Sequence, residues 1–153
     1  MYVEDDTDDF ALLKMVSQRC GTPFNLQHAG DGEQAIAYLE GAGAFADREE
    51  HPFPDLVLLD LKMPKLDGFE VLQWIRSNPL TVSVPVVVLA GSFFRADIRR
   101  ALELGANSYA AKPGKLEELE VLIDQIADVW LARPEPATLS HLPGPSQGTR
   151  PSV

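Results

Sequence analysis

The chain has 153 residues, of which 45% are hydrophobic and 24% charged, with a formal net charge of −10. That is one domain's worth of chain with enough apolar content for a real core. The acidic balance argues against nucleic-acid binding through a basic face. The apolar runs fall far short of the ~20 residues needed to span a membrane. No charged-then-apolar leader is visible at the start, and the single cysteine, Cys20, leaves no partner for an internal disulfide. A reducing, cytoplasmic setting is therefore expected.

Met1–Val3 reads as a very short strand, followed at once by Glu4, Asp5, Asp6, Asp8 and Asp9. Acids favour a helix N-terminus, which explains Asp8 and Asp9 better than it explains Glu4 and Asp5. Phe10, Leu13 and Val16 recur at helical spacing and predict a helix over about 8–18, stopped by Gly21 and Pro23. Cys20 reads as a small apolar side chain near that helix end. Phe24–Ala29 predicts a weak strand, in which His28 lies on the surface without a second metal ligand at suitable spacing. Gly30–Gly32 marks a turn, and 33–39 a short helix. Residues 41–54 form an exposed loop with some helical character near 44–48.

Asp55–Asp60 carries four consecutive apolar residues and then a carboxylate. Such a run fits a strand covered on both faces. Asp67 with Glu70 predicts a capping box for a helix carrying Phe69, Leu72 and Ile75, ended by Asn78-Pro79. Val84–Ala90 is a second fully buried strand. A helix over 95–104 stops at Gly105. A short strand over 107–111 runs into Lys112-Pro113, and a long amphipathic helix spans Leu116 to Trp130. Beyond it, Pro134, Pro136, Pro143, Pro145 and Pro151 predict a disordered Pro-rich tail over 132–153. The folded domain is expected to cover 1–131.

Five β-α repeats imply an α/β fold with a doubly wound parallel sheet. Ligands of such sheets bind outside the carboxyl ends of the strands. Glu4, Asp5 and Asp6, then Asp60, then Ala90-Gly91-Ser92, and finally Lys112 all fall at those ends. Clustered carboxylates repel unless a cation relieves them, and Mg²⁺ prefers this oxygen-rich chemistry. A carboxylate, a divalent cation and a lysine together make a site for phosphoryl chemistry, with the carboxylate as nucleophile.

Val3-Glu4-Asp5-Asp6, the Asp55–Asp60 strand with Met63-Pro64 and Asp67-Gly68, the small Gly91, and Ala106–Tyr109 leading to Lys112-Pro113 resemble a two-component response-regulator receiver domain. The Gly41–Pro54 loop resembles stand-alone receivers that partner phytochrome-type histidine kinases. The resemblance implies a (βα)5 flavodoxin-like fold with strand order 2-1-3-4-5. It implies Asp60 as phosphoacceptor, with Mg²⁺ held by Asp5, Asp60, the Lys62 backbone carbonyl and, through water, Glu4. Lys112 and the Gly91 backbone N–H would meet the phosphoryl group, with Lys112-Pro113 as a cis peptide. Tyr109 would be the aromatic switch residue. A sensor histidine kinase or phosphotransfer protein is the implied partner, with a homodimer as a further possibility and neither nucleic acid nor membrane.

Two departures stand out. Ala90 occupies the position where the family places Thr or Ser, so a pseudo-receiver without a phospho-switch is the competing reading. Met1 stands almost at the acids, so the first strand is short, or the native start lies upstream. An enzyme is disfavoured, because an aspartyl phosphohydrolase carries a second Asp two residues after its nucleophile and Lys62 stands there.

Overall fold

The computed structural model describes residues 1–132. The predicted tail lies outside the described residues. Five parallel strands form one sheet in the order β2-β1-β3-β4-β5. They are β1 (Tyr2–Val3), β2 (His28–Ala29), β3 (Val57–Leu59), β4 (Val86–Ala90) and β5 (Ser108–Ala111). The helices α1 (Thr7–Ser17), α2 (Gly32–Glu40), α3 (Gly68–Ser77), α4 (Arg95–Glu103) and α5 (Leu116–Trp130) alternate with them. This is the flavodoxin-like order that the resemblance implied.

Two apolar clusters flank the sheet. One packs Val57, Leu59, Val86 and Val88 against α2 and α3 through Leu39, Val71, Leu72 and Ile75. The other packs Tyr2, Leu58, Val87 and Leu89 against α1 and α5 through Leu13, Val16 and Ile123. Alternate residues of β3 and β4 face opposite layers, as the period of two requires, so the unbroken apolar run of each strand is buried on both faces.

The sequence boundaries shift in several places, and the strand predicted over 84–90 is one, beginning at Val86. The strand predicted over 24–29 contracts to His28–Ala29, because its neighbour β1 offers only Tyr2 and Val3 to pair with, in the register Tyr2↔His28 and Val3↔Ala29. The strand predicted over 55–60 contracts to Val57–Leu59. In the 41–54 loop the helical segment is a 3-10 turn over Gly43–Phe45, ahead of the expected position. This loop is anchored by Arg48, whose guanidinium donates to the Tyr38, Leu39 and His51 carbonyls. The bond to Leu39 satisfies a carbonyl left open at the end of α2.

The capping box is present. Asp67 accepts from the Glu70 N–H at 2.9 Å, and Glu70 accepts from the Asp67 N–H at 2.8 Å. Gly68 opens the helix because nothing larger fits: a Cβ there would lie 2.2 Å from the Asp60 carbonyl oxygen and 2.7 Å from the Leu61 Cα. Gly105 ends α4 at φ +100, a conformation that favours glycine. The Lys112-Pro113 bond is trans, as are all the peptide bonds of the described residues. This corrects the cis expectation and follows the ordinary preference of ~0.5–1 kcal/mol for trans at a prolyl bond.

Candidate functional site

The carboxyl edge of the sheet gathers the acids that the sequence singled out. Val3 and Leu59 are paired in register, so the residues just past them, Glu4 and Asp60, emerge side by side. The Asp60 N–H donates to the Val3 carbonyl at 3.1 Å, which fixes that juxtaposition. Carboxylate oxygens of Glu4, Asp5 and Asp60 all lie within 4.8 Å of one another. Glu4 is 1% exposed and Asp60 6%, whereas Asp5 is exposed.

Lys112 arrives from the end of β5 and sits among these acids. Its backbone N–H donates to the Ala90 carbonyl at 2.7 Å. Its Nζ contacts Glu4 Oε2, lies 2.8 Å from Asp9 Oδ2 and is 3.9 Å from Asp60 Oδ1. Burial lowers the lysine pKa, but the Asp9 and Glu4 carboxylates outweigh it and hold the ammonium above its ordinary range. Burial pushes Asp60 up to about 6, and Glu4 adds to this; Lys112 and the Lys62 and Leu61 backbone N–H groups pull the other way. The buried nucleophile candidate is therefore short of positive charge. This donor set of hard oxygens around a charge-deficient carboxylate fits a small divalent cation.

Three residues of this network were not assigned to the site from the sequence. Asp9, in the first turn of α1, binds Lys112. Tyr2 donates its hydroxyl to Glu4 Oε2 at 2.7 Å, and its own pKa rises through burial and that bond. Tyr2 and Glu4 alternate with Val3 on one strand face, which was the available signal. His28, expected on the surface, is half-buried. It stacks on Phe10 at 3.8 Å between ring centroids and donates Nε2–H to the Glu4 carbonyl at 2.8 Å.

The remaining candidates line the same edge. Gly91 is exposed, and a Cβ placed there meets nothing within 4 Å. Ala90 is 2% exposed at the end of β4. Tyr109 is half-buried, with its hydroxyl donating to the Ser92 carbonyl at 2.8 Å and its ring edge-on to Phe93. The aromatic is thus tied to the loop after β4 through backbone, without a hydroxyl at position 90. Lys62 is exposed, with its ammonium 5.9 Å from the Phe94 ring centroid. The Leu61 carbonyl accepts from Gly68 N–H at 3.0 Å, which pins the loop carrying Lys62 to the start of α3.

A five-stranded parallel sheet of this order, with acids at β1 and β3 and a lysine at β5, defines a class, and the comparisons agree with it. The profile described as the response regulator receiver domain matches residues 1–124, and the chain belongs to that family of two-component signalling proteins. Within the family it is 37% identical to the response regulator Rcp1 of a Synechocystis strain over 131 residues, covering 86% of this chain and 87% of that protein. It is 36% identical to the probable methanogenesis regulatory protein FilR2 of Methanothrix harundinacea, over 86% of this chain and 82% of that one. Among solved structures, the phosphorylated cyanobacterial phytochrome response regulator RcpA superposes with a TM-score of 0.78 at 37% identity, covering 86% and 91% of the two chains. The response regulator RPA3017 of R. palustris red-light signalling superposes with a TM-score of 0.79 at 33% identity, covering 85% and 92%.

Proposed function

We propose that this protein is a phosphoryl-accepting response regulator whose acceptor is Asp60, working in the cytoplasm with a sensor histidine kinase of the phytochrome type or a phosphotransfer protein. The observation that carries the reading is the convergence of Glu4, Asp5 and Asp60 within 4.8 Å, with Lys112 reaching across them. The similarity to Rcp1 and RcpA points to the kinase class.

The chemistry is a transfer between two nucleophiles. An Asp60 carboxylate oxygen attacks the phosphorus of a phosphohistidine on the partner. The new P–O bond forms as the P–N bond breaks, and the imidazole nitrogen keeps the electron pair. Asp5, Asp60 and the Lys62 carbonyl would hold Mg²⁺, with Glu4 acting through water; when bound, the cation supplies the positive charge that the phosphoryl oxygens require. Lys112 is the fixed cation of the site and turns toward the phosphoryl oxygens. Gly91, exposed just past β4, would offer its backbone N–H. Burial of Asp60 keeps bulk water from competing as nucleophile. The protein performs no further reaction on a substrate, beyond slow loss of its own acyl phosphate.

Phosphorylation would add charge at the end of β3, and Tyr109, through Ser92, is the route by which the loop after β4 feels it. Output is then protein–protein contact, with a homodimer as one form. The second reading, a binding module with a weak switch, rests on Ala90, which presents no hydroxyl to the phosphoryl group. One experiment separates failure of the chemistry from failure of the site. Incubation with Mg²⁺ and a small phosphodonor, read by intact mass, should add one phosphoryl group to the wild type and none to Asp60→Asn. A folded wild type that stays unmodified removes the phosphoacceptor reading.

A further inference from the structure

Lys112 directs its ammonium at β1 and α1 rather than at the acceptor. Its Nζ contacts Glu4 Oε2 and lies 2.8 Å from Asp9 Oδ2. Asp60 Oδ1 is 3.9 Å away, beyond hydrogen-bond reach. To meet a phosphoryl group on Asp60, the lysine has to give up some of what it holds. Its flexible four-carbon stem allows the movement.

The two carboxylates differ in what they lose when the lysine leaves. Glu4 is buried and has other donors, the Tyr2 hydroxyl at 2.7 Å on Oε2 and the Asp6 N–H at 3.1 Å on Oε1. It stays hydrogen-bonded without the lysine. For the Asp9 carboxylate, Lys112 is the one donor among the described residues, and its 40% exposure makes water the alternative. Asp9 stands in the first turn of α1, where its backbone N–H donates to the N-cap Asp6 Oδ1 at 3.1 Å. The cap fixes the turn that presents the carboxylate. Asp9 is also outside the group of Glu4, Asp5 and Asp60, whose oxygens suit a metal ion. Filling that metal site therefore leaves the Asp9–Lys112 pair in place.

We propose that Asp9 is a positioning residue, which holds Lys112 off the acceptor and competes for it with the phosphoryl group, so that it limits how tightly Asp60 retains that group. The inference rests on Asp60 being the acceptor. The Asp9–Lys112 pair favours the unphosphorylated state, and a ligand shifts an equilibrium only by its differential affinity for the two states.

The test titrates the full chain with beryllofluoride, which occupies an aspartate oxygen as a phosphoryl group does. Mg²⁺ is present with ~0.15 M salt to screen long-range charge, and bound probe is read by ¹⁹F NMR. Asp9→Asn should bind the probe about two- to fivefold more tightly than wild type, the change that loss of one half-exposed ion pair converts to. Asp9→Glu keeps a carboxylate within reach of the lysine and should return to the wild-type affinity. Asp8→Asn is the control. Asp8 is exposed and in the same turn, but the ion pairs of Lys112 are with Glu4, Asp9 and Asp60. Removing that equal charge should shift affinity by less than about 1.5-fold. A second readout needs neither metal nor probe: in EDTA, the Lys112 Nζ resonance in ¹⁵N spectra should move in Asp9→Asn and stay in place in Asp8→Asn.

An Asp9→Asn affinity that is unchanged or weakened overturns the proposal, as does equal tightening by Asp8→Asn. Asp9→Glu behaving as Asp9→Asn does, or an unmoved Nζ resonance, also overturns it. A wild type that binds no beryllofluoride removes the acceptor reading and this one with it. An unaltered Asp9→Asn beside a wild type that binds removes this one alone.

Discussion

Replacing Asp60 by asparagine should stabilise the protein at neutral pH in the absence of divalent metal, and the gain should vanish in acid. The folded state holds this carboxyl at about 6 against an ordinary 3.8. Between those values the folded protein keeps a proton that the unfolded chain releases. Stability therefore falls as pH rises through this window, and the penalty is complete above about 6. Two units at ~1.4 kcal/mol each give roughly 3 kcal/mol as a ceiling. The open crevice screens part of it, so about 1–2 kcal/mol is the working figure, or ~3–8 °C in Tm for a domain of this size. Asparagine keeps the shape, and Lys112 keeps Glu4 and Asp9 as partners. The assay is thermal or urea unfolding of both proteins in EDTA, at intervals from pH 4 to pH 8. An Asp60→Asn variant no more stable than wild type at pH 7.5, or a difference that stays constant down to pH 4, refutes the burial argument. Added Mg²⁺ should stabilise wild type far more than the variant.

Gly68→Ala forces a Cβ to within 2.2 Å of the Asp60 carbonyl oxygen; it should cost about 2–4 kcal/mol by denaturant unfolding and slow phosphoryl uptake by displacing the acceptor. Lys112→Met should slow uptake from a small phosphodonor by roughly 100-fold or more while circular dichroism stays native. Asp9→Asn, removing a 40%-exposed partner of that lysine, should change stability by less than ~1 kcal/mol and uptake by far less than Lys112→Met does. Ala90→Thr places a larger side chain at a site 2% exposed, with an expected cost of about 1–3 kcal/mol. It should enlarge the phosphorylation-dependent change in dimerisation or partner binding, and an unchanged response would count against position 90 as the weak link.

What was legible in the chain was periodicity and punctuation. The apolar runs ending at Asp60 and Ala90 are covered on both faces, as strands of a parallel sheet with helices on each side are. Asp67 and Glu70 wrote the start of α3 into four residues, and Gly105 wrote the end of α4. The acids and Lys112 could be assigned to one edge because strand polarity alone puts them there. The partners of the acids were less legible. Asp9 meets Lys112 because the lysine side chain extends from the end of β5 to the first turn of α1, a helix packed on α5 through Leu13, Val16 and Ile123. Tyr2 and His28 support Glu4 through one face of β1 and the pairing of β1 with β2, a register visible only once the strands are placed.

The same register explains why strand lengths were over-read at 24–29 and 55–60. Both segments have strand composition, but a strand is assigned where a neighbour supplies hydrogen bonds, and β1 supplies them only from Met1 onward. Composition records what a segment is suited to, whereas pairing records what is present to meet it.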